Sequence, residues 1–330
     1  MHRAAPSNGR DDQSKTGGHR HGKEKKKKKT KLLAHDVGII HSGTSGRHPH
    51  DAHIKAFKDG MALFTNVNPR NPRWADDHQA TLDTDATALI NAGVTLLVAA
   101  GGSRSAIAAM RATTQTPIIV TSVSNSARPA ANVAGICVLT TQSDPDRLEL
   151  LLQLLPGRTK IGALYDPSRP DAPTQRALLD SRASLLGIEP LDWQPVDPNG
   201  SSQEAQIDDA FQNWGSNIEA VIVTADPLFN NHIDRIVKTA GGALRTIPAI
   251  YQWREFADAG GLISYGPDLT LAYKLAGTYV GRIVSNDTTV DKLPLLPLSD
   301  FELVINLRTA KTLNIPVPST LLARATDVIV

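Results

Sequence analysis

The sequence contains a single cysteine, Cys137, among its 330 residues. A disulfide within the chain is therefore excluded, as is a metal site built from several cysteines. Three closely spaced histidines, His48, His50 and His53, have no cysteine or dense group of carboxylates beside them. We interpret them as surface histidines, and we predict no metal site and no cofactor.

The sequence motifs of the common catalytic sites are absent as well. There is no GxGxxG, GxxxxGKS/T, GxSxG or HExxH pattern, and the only histidine of the second half, His232, has no evident nucleophile beside it. We therefore assign no catalytic residue and do not predict an enzyme.

A long apolar run is missing from the beginning of the chain. The basic run there passes directly into Leu32, Leu33 and Ala34, and then into polar residues. A secretory signal needs a longer apolar stretch, so neither a signal peptide nor a transmembrane segment is predicted. Either the chain stays in the cytoplasm, or its natural start differs from this one.

The composition indicates a folded, water-soluble body with a basic tail. Hydrophobic residues make up 41% of the chain and charged residues 21%, and the net charge of +2 conceals the lysines at 23 and 25–29. Residues 1–35 have too little apolar surface to fold, so we predict a disordered tail. The remainder is mildly acidic, which gives no reason to expect nucleic-acid binding. Its length suffices for two lobes with separate cores.

Short apolar runs alternate with helical patterns from about residue 36. The runs at 36–41, 95–100 and 117–123 are rich in branched residues and apolar on both faces, which is typical of strands in a parallel sheet. A helix over 103–112 and an apolar stripe ending at Gly93 fit between them, whereas residues 61–80 contain no clear strand. This pattern predicts a βα repeat.

The pattern restarts after Val138. Asp144 and Pro145 have the form of a helix start, and strands follow at 160–165, 220–225 and 247–251, with helices beginning near Pro173, Ser202 and Asn231. Later come a strand at 262–265, a helical stripe over 272–283, a strand at 302–305 and a helix from Thr309. We predict one α/β lobe from residues 36–140 plus 266–290, and a second from 141–265 plus 291–330.

Ligands of parallel sheets bind beyond the carboxyl ends of the strands, so the residues that follow each run are the candidate site. In the first lobe these are small and hydroxyl-rich loops that include Ser42, Thr44, Gly102, Ser103, Ser122, Ser124 and Asn125. The helix start at Ser103 offers free N–H groups to a carboxylate, although Ser103 would serve equally well as an ordinary helix cap.

The second lobe offers carboxylates and aromatic rings at the same edge. The candidates are Tyr165, Asp166, Asp226 and Tyr265, with Phe229, Tyr251 and Trp253 near them. Asp226 follows the most continuously apolar strand and is the favoured partner for a ligand ammonium. Both aspartates precede proline, which is also a helix-start signature, so a structural role stays open.

Several spaced segments resemble one protein family. PAIYQWREFADAGGLISYGPDL (248–269) and FELVINLRTAKTLNIPVPSTLLARATDVI (301–329) are similar to ABC-transporter substrate-binding proteins with the type I periplasmic-binding-protein fold, as are ARPAANVAGI (127–136), RLELLLQLLPGRTKIGALYDPSRP (147–170) and ADPLF (225–229). The resemblance implies two Rossmann-like parallel-sheet lobes joined by three hinge crossings.

The resemblance also implies a function. Such a protein binds a small polar or amino-acid-like ligand between its lobes, closes by hinge rotation, and presents the closed form to ABC permease subunits at a periplasmic or other extracytoplasmic location. Two alternatives use the same scaffold, a ligand-sensing regulator and an enzyme. A regulator of the lac type needs a helix-turn-helix, and residues 1–35 lack the apolar helical period to build one.

Overall fold

The computed structural model describes residues 35–47, 49–124, 128–241 and 246–330. The predicted basic tail lies outside the described residues except for His35, as do His48 and Asn125. Among the described residues, no helix is both long enough and apolar enough to cross a membrane.

The strands of the described residues form two sheets. In chain order they are β1 (Val37–His41), β2 (Arg73–Trp74), β3 (Leu96–Ala100), β4 (Ile118–Val123), β5 (Val133–Cys137), β6 (Ile161–Tyr165), β7 (Asp192–Pro195), β8 (Ala220–Val223), β9 (Ala249–Tyr251), β10 (Ile263–Pro267), β11 (Leu295–Pro297), β12 (Phe301–Asn306) and β13 (Asp327–Ile329).

The helices of the described residues lie between these strands. They are α1 (His50–Ala62), α2 (Gln79–Asn91), α3 (Ser103–Ala112), α4 (Thr140–Leu154), α5 (Ala172–Leu185), α6 (Gln203–Trp214), α7 (Pro227–Asn230), α8 (Ile233–Ala240), α9 (Arg254–Asp258), α10 (Leu269–Val284), α11 (Leu307–Thr312) and α12 (Ser319–Leu322), with a 3-10 turn at Val290–Lys292.

The first sheet has six parallel strands in the order β11-β5-β4-β3-β1-β2, and the second has seven in the order β13-β12-β10-β9-β8-β6-β7. Among the described residues the one antiparallel pairing is that of β10 with β12, and β12 and β13, which are parallel to each other, run opposite to the rest of the second sheet. The strands predicted from apolar runs lie in the middle of these sheets, where β1, β3 and β8 are buried along their whole length. Burial on both faces explains why their sequences show no alternation.

The chain passes between the two sheets three times. It leaves the first sheet after Cys137, returns to it after Pro267 and leaves it again after Pro297. The segment that returns to the first sheet extends past the predicted boundary at 290, because Leu295–Pro297 pairs with β5 at the edge of that sheet. The last two strands then complete the second sheet.

Two helices of the first sheet pack unusually closely. A Cβ atom at Gly277 of α10 would lie 2.0 Å from the carbonyl oxygen of Phe57 in α1, and one at Gly60 would lie 2.0 Å from the carbonyl oxygen of Lys274. Contact distances of this kind leave no room for a side chain. The returning helix α10 is therefore held against α1 at backbone distance.

The start of α4 differs from the prediction. The helix begins at Thr140 rather than after Asp144, and Pro145 lies inside it. The Asp144 side chain does not cap the helix, because it is buried and pairs with Arg147 while it accepts a hydrogen bond from Gln175 (2.7 Å). The Asp-Pro pattern alone does not reveal the contact with Gln175, which lies 31 residues further along the chain.

Candidate functional site

A cavity lies where the carboxyl ends of strands from both sheets face each other. About 630 Å³ of non-atom space lies within it and at its open mouth, solvent space included. Its lining comes from the ends of β1, β3 and β4 in the first sheet, of β6, β8 and β9 in the second, and from α1 and α10.

Six of the ten predicted binding residues line this cavity: Ser42, Gly102, Ser103, Ser122, Ser124 and Asp226. They lie at or shortly after the carboxyl ends of β1, β3, β4 and β8. The carboxyl edges of β1, β3, β4 and β8 therefore converge as the strand pattern indicated.

For Tyr165 and Tyr265 the geometry differs from the prediction. The Tyr165 ring packs against Trp193, with ring centroids 5.2 Å apart, and the Tyr265 ring stacks on Phe301 at 5.3 Å. Successive side chains of a strand point to opposite faces, so position at a strand end does not ensure that a ring faces the cleft. Neither tyrosine lines the cavity.

Direct hydrogen bonds join the two sides of the cleft. Arg104 of α3 forms an ion pair with the buried Asp166 and donates a hydrogen bond to the Ser168 hydroxyl (2.7 Å). A second bond of this kind joins Ser124 at the end of β4 to Asp171, because the Ser124 hydroxyl donates to the Asp171 carboxylate (2.9 Å). The structure is therefore a closed form, and Asp166 contributes to closure rather than to the cavity wall.

Asn231 makes a second set of bonds across the cleft. Its side-chain amide donates to the buried Asp77, and its Oδ1 accepts from the Thr44 backbone N–H (3.2 Å) and from His50 Nε2 (2.7 Å). The Arg47 guanidinium also donates to the Asn231 carbonyl oxygen (2.6 Å). Thr44, predicted as a ligand contact, is occupied by this bond and does not line the cavity.

The interpretation of His50 and His53 as surface residues is wrong. Both are buried, and both line the cavity. His53 stacks on Tyr273, with ring centroids 4.9 Å apart, and its Nε2 lies 3.2 Å from Glu255. Their surroundings come from α10 and the second sheet, more than 170 residues away, which a local reading of the sequence does not reveal. Groups of three or more His, Cys, Asp or Glu side chains placed to hold a metal do not occur in the described residues.

His41 is a neutral ring at the base of the cavity. Its Nδ1 accepts the Gly43 backbone N–H (2.8 Å), so the ring proton lies on Nε2, which is 3.0 Å from the Tyr273 hydroxyl. Burial, with His50 and His53 nearby, holds the pKa of His41 well below its usual value. Burial likewise lowers the pKa of His50 to about 4.

Asp226 both caps a helix and lines the cavity. Its Oδ1 accepts the Leu228 backbone N–H (2.8 Å) at the start of α7, and its Oδ2 lies 3.8 Å from Nε of Arg169. Burial raises the pKa of Asp226 to about 7, and the Asp166 carboxylate adds to the rise while Arg169 opposes it. Asp226 is thus a helix cap that also lines the cavity.

Arg169 lines the cavity although the sequence analysis did not name it, and Trp253, which was named as an aromatic residue near the candidate site, lines it too. Arg169 is 6% exposed and Trp253 is 5% exposed, yet Nη1 of the first and Nε1 of the second lack a hydrogen-bond partner among the described residues. Buried donors are normally paired, so each is available to a ligand. The signal for Arg169 was its place just after a predicted strand, in the segment DPSRPD.

The sequence matches the family model described as ABC transporter substrate binding protein over residues 51–329. The chain belongs to this family. Membership covers most of the chain, including every strand end that lines the cavity except that of β1. No protein of curated function matches the sequence at a significant level.

Solved structures of similar shape support the same fold. The ABC domain in complex with L-Trp from Streptococcus pneumonia has a TM-score of 0.77 at 22% identity, covering 89% of this chain and 100% of that one. A conserved domain protein from Vibrio cholerae has a TM-score of 0.78 at 22% identity, covering 90% and 100%. A ligand-free, open substrate-binding protein with adhesive properties from Clostridium difficile has a TM-score of 0.60 at 21% identity, covering 89% and 99%. The predicted fold class of this substrate-binding protein is confirmed.

Proposed function

We propose that this chain is the solute-binding component of an ABC importer, working outside the cytoplasmic membrane and delivering a small amino-acid-like solute to permease subunits. The observation that carries the proposal is the cavity, because its walls come from both sheets and the chain passes between those sheets three times. A ligand that contacts both sides stabilises the closed arrangement by its differential affinity for it.

The proposed ligand contacts are Asp226 on the second sheet and, on the first, Ser42, Gly102, Ser103, Ser122 and Ser124. Asp226 would bind the ligand ammonium, because it is a buried carboxylate whose nearest ion-pair partner in the described part of the chain, Arg169, lies 3.8 Å away. On the opposite wall of the cavity, the serine hydroxyls and the N–H groups at the start of α3 would form hydrogen bonds with the polar remainder of the ligand. The L-Trp complex of the similar Streptococcus pneumonia structure supports an amino acid as ligand.

Mass spectrometry and scattering test this proposal. Native mass spectrometry of the freshly purified protein should detect a bound small molecule, and incubation with an amino-acid pool should load the protein with one member and return it unchanged. Small-angle scattering should give a smaller radius of gyration with saturating ligand. Chemical conversion of the bound compound, or binding without any change in the radius, would contradict a transport component that closes on its solute.

A further inference from the structure

Arg169 is held rigidly with one edge of its guanidinium unused. Nε and Nη2 donate to the two carboxylate oxygens of Asp171 at 2.5 Å and 2.9 Å, and Nη2 also lies 3.2 Å from the Thr141 hydroxyl. Nη1 has no partner among the described residues, and the side chain is 5% exposed. A guanidinium held in this way presents fixed N–H groups to a second anion.

Asp171 is fully engaged and does not compete for that second edge. It accepts hydrogen bonds from Arg169, from the Thr141 hydroxyl (2.8 Å) and from the Ser124 hydroxyl (2.9 Å). Although burial opposes the change, the Arg169 guanidinium lowers the pKa of Asp171. The aspartate therefore stays ionised and fixes the orientation of Arg169.

The start of α3 lies on the opposite wall, linked to Arg169 through these same bonds. The Ser103 and Ser124 hydroxyls are 3.2 Å apart, and Ser124 in turn binds the Asp171 carboxylate that holds Arg169. Gly102, the residue before this ten-residue helix, provides no side-chain cap for the first N–H groups of the helix. A buried guanidinium and a helix start without a side-chain cap thus line one end of the cavity from opposite sheets.

We infer that Arg169 is the specificity-determining residue of the cleft, and that it binds the carboxylate of the ligand together with the N-terminus of α3. The inference rests on the proposed function and names its ligand class, an α-amino acid with a free carboxylate. Asp226, whose Oδ2 is 3.8 Å from Arg169 Nε, is placed to bind the adjacent ammonium. Ammonium and carboxylate of one α-carbon are close enough to engage these neighbouring groups together.

The other arginines near the cavity are engaged elsewhere, Arg47 among them through the Asn231 carbonyl oxygen. Arg104 is occupied by Asp166 and by the Ser168 hydroxyl (2.7 Å). Arg147, which also lies near Arg169, is fully buried, pairs with Asp144 and does not line the cavity. Discrimination between a carboxylate and a neutral amide therefore falls to Arg169.

The test compares acids with their amides on matched variants. The probes are L-tryptophan, L-phenylalanine and L-leucine, each with its carboxamide, measured by titration calorimetry on the wild type, Arg169→Lys and Arg169→Gln. The control is Arg176→Gln, which removes one positive charge from the second sheet but lies against Tyr165 and Trp193, outside the cavity. In Arg169→Gln alone, the Asp171 carboxylate would lose the guanidinium that balances its charge. A double variant, Arg169→Gln with Asp171→Asn, removes both charges together.

The wild type and the control should bind the acid about ten- to a hundredfold more tightly than its amide, which is the usual contribution of a charge-assisted contact to affinity. Arg169→Lys should retain part of this preference, and both glutamine variants should lose it. If an acid binds the wild type without preference over its amide, or if the glutamine variants keep the preference, the inference is overturned while the proposed function stands. If none of the six probes binds the wild type, the amino-acid ligand of the proposed function fails as well.

Discussion

A Cβ atom at Gly102 would lie 2.6 Å from Cγ of Pro227 on the opposite wall of the cleft. Gly102 also has a φ of +106°, which side chains rarely adopt. The two residues come from different sheets, so their contact exists only when the cleft is closed.

Gly102→Ala should therefore weaken ligand binding by about tenfold or more, because the added methyl opposes closure as well as straining the backbone. Titration calorimetry with a ligand identified by the solute screen measures the effect. Gly187→Ala is the control, since Gly187 has a φ of +68° but nothing within 4 Å of its Cβ position. Equal loss of affinity in both variants would show that strain alone, and not the contact with Pro227, is responsible.

Asp226→Asn should weaken ligand binding by about ten- to a hundredfold, because a charge-assisted contact to the ligand ammonium is lost. The cap on α7 should survive, since the asparagine oxygen can still accept the Leu228 N–H. Asp268→Asn is the matched control, because Asp268 caps α10 through the Leu271 N–H and does not line the cavity. Calorimetry that finds unaltered affinity in Asp226→Asn removes Asp226 from the binding site.

The same residue predicts a pH dependence of the ligand-free protein. The folded-state pKa of Asp226, about 7, lies above its ordinary value of 3.8, so ionisation of this buried group destabilises the fold as pH rises from about 4 to 7. Relative to Asp226→Asn, the wild type should lose free energy of unfolding across that window. Urea unfolding at several pH values measures the difference between the two proteins. Parallel curves would contradict the raised pKa.

His50 should act in the opposite direction. Its folded-state pKa of about 4 lies below the ordinary 6.5, so its contribution to stability is present above pH 6.5 and is lost as pH falls toward 4. In His50→Gln, where the amide N–H can replace the bond to Asn231, the acid-induced loss of stability should be smaller. The comparison is made by denaturant unfolding between pH 7 and 4, and an equal loss in both proteins would exclude His50 as a cause.

Gly277→Ala should destabilise the fold without acting through the ligand. The new methyl would lie 2.0 Å from the Phe57 carbonyl oxygen, and overpacking of this kind costs about 1–3 kcal/mol. Gly200→Ala is the control, because Gly200 lies at an exposed turn where the nearest atom to the new Cβ is the side-chain nitrogen of Gln206, at 3.3 Å. Thermal unfolding of both variants should show a large decrease in Tm only for Gly277→Ala. A small effect at Gly277 would mean that α10 can shift away from α1.

The sequence predicted those helices and strands whose burial is evident from their own run or stripe of apolar residues. Strands β1, β3 and β8 are short apolar runs, and α10 carries an apolar stripe over several turns, so local composition sufficed. Strand β2 has only two residues, too few for any pattern, and it was missed.

The site was predicted only in part, for a related reason. Serines and Asp226 follow predicted strands, so their convergence follows from the geometry of a parallel sheet. His50 and Arg169 are polar residues whose burial depends on partners elsewhere in the chain, such as Asn231 for His50 and Thr141 for Arg169. The order of apolar and polar residues around a position does not reveal such distant partners. The prediction therefore assigned His50 to the surface.

The edge strand β11 and the helix α10 come late in the chain, although both belong to the first sheet. During synthesis, α1 has no partner for its buried face until residues 269–284 leave the ribosome, and β5 has no outer neighbour until 295–297 follow. Strands with unpaired edges and exposed apolar faces are prone to aggregate. The nascent chain therefore carries an incomplete first sheet, with the outer edge of β5 unpaired, until residue 297 has been synthesised.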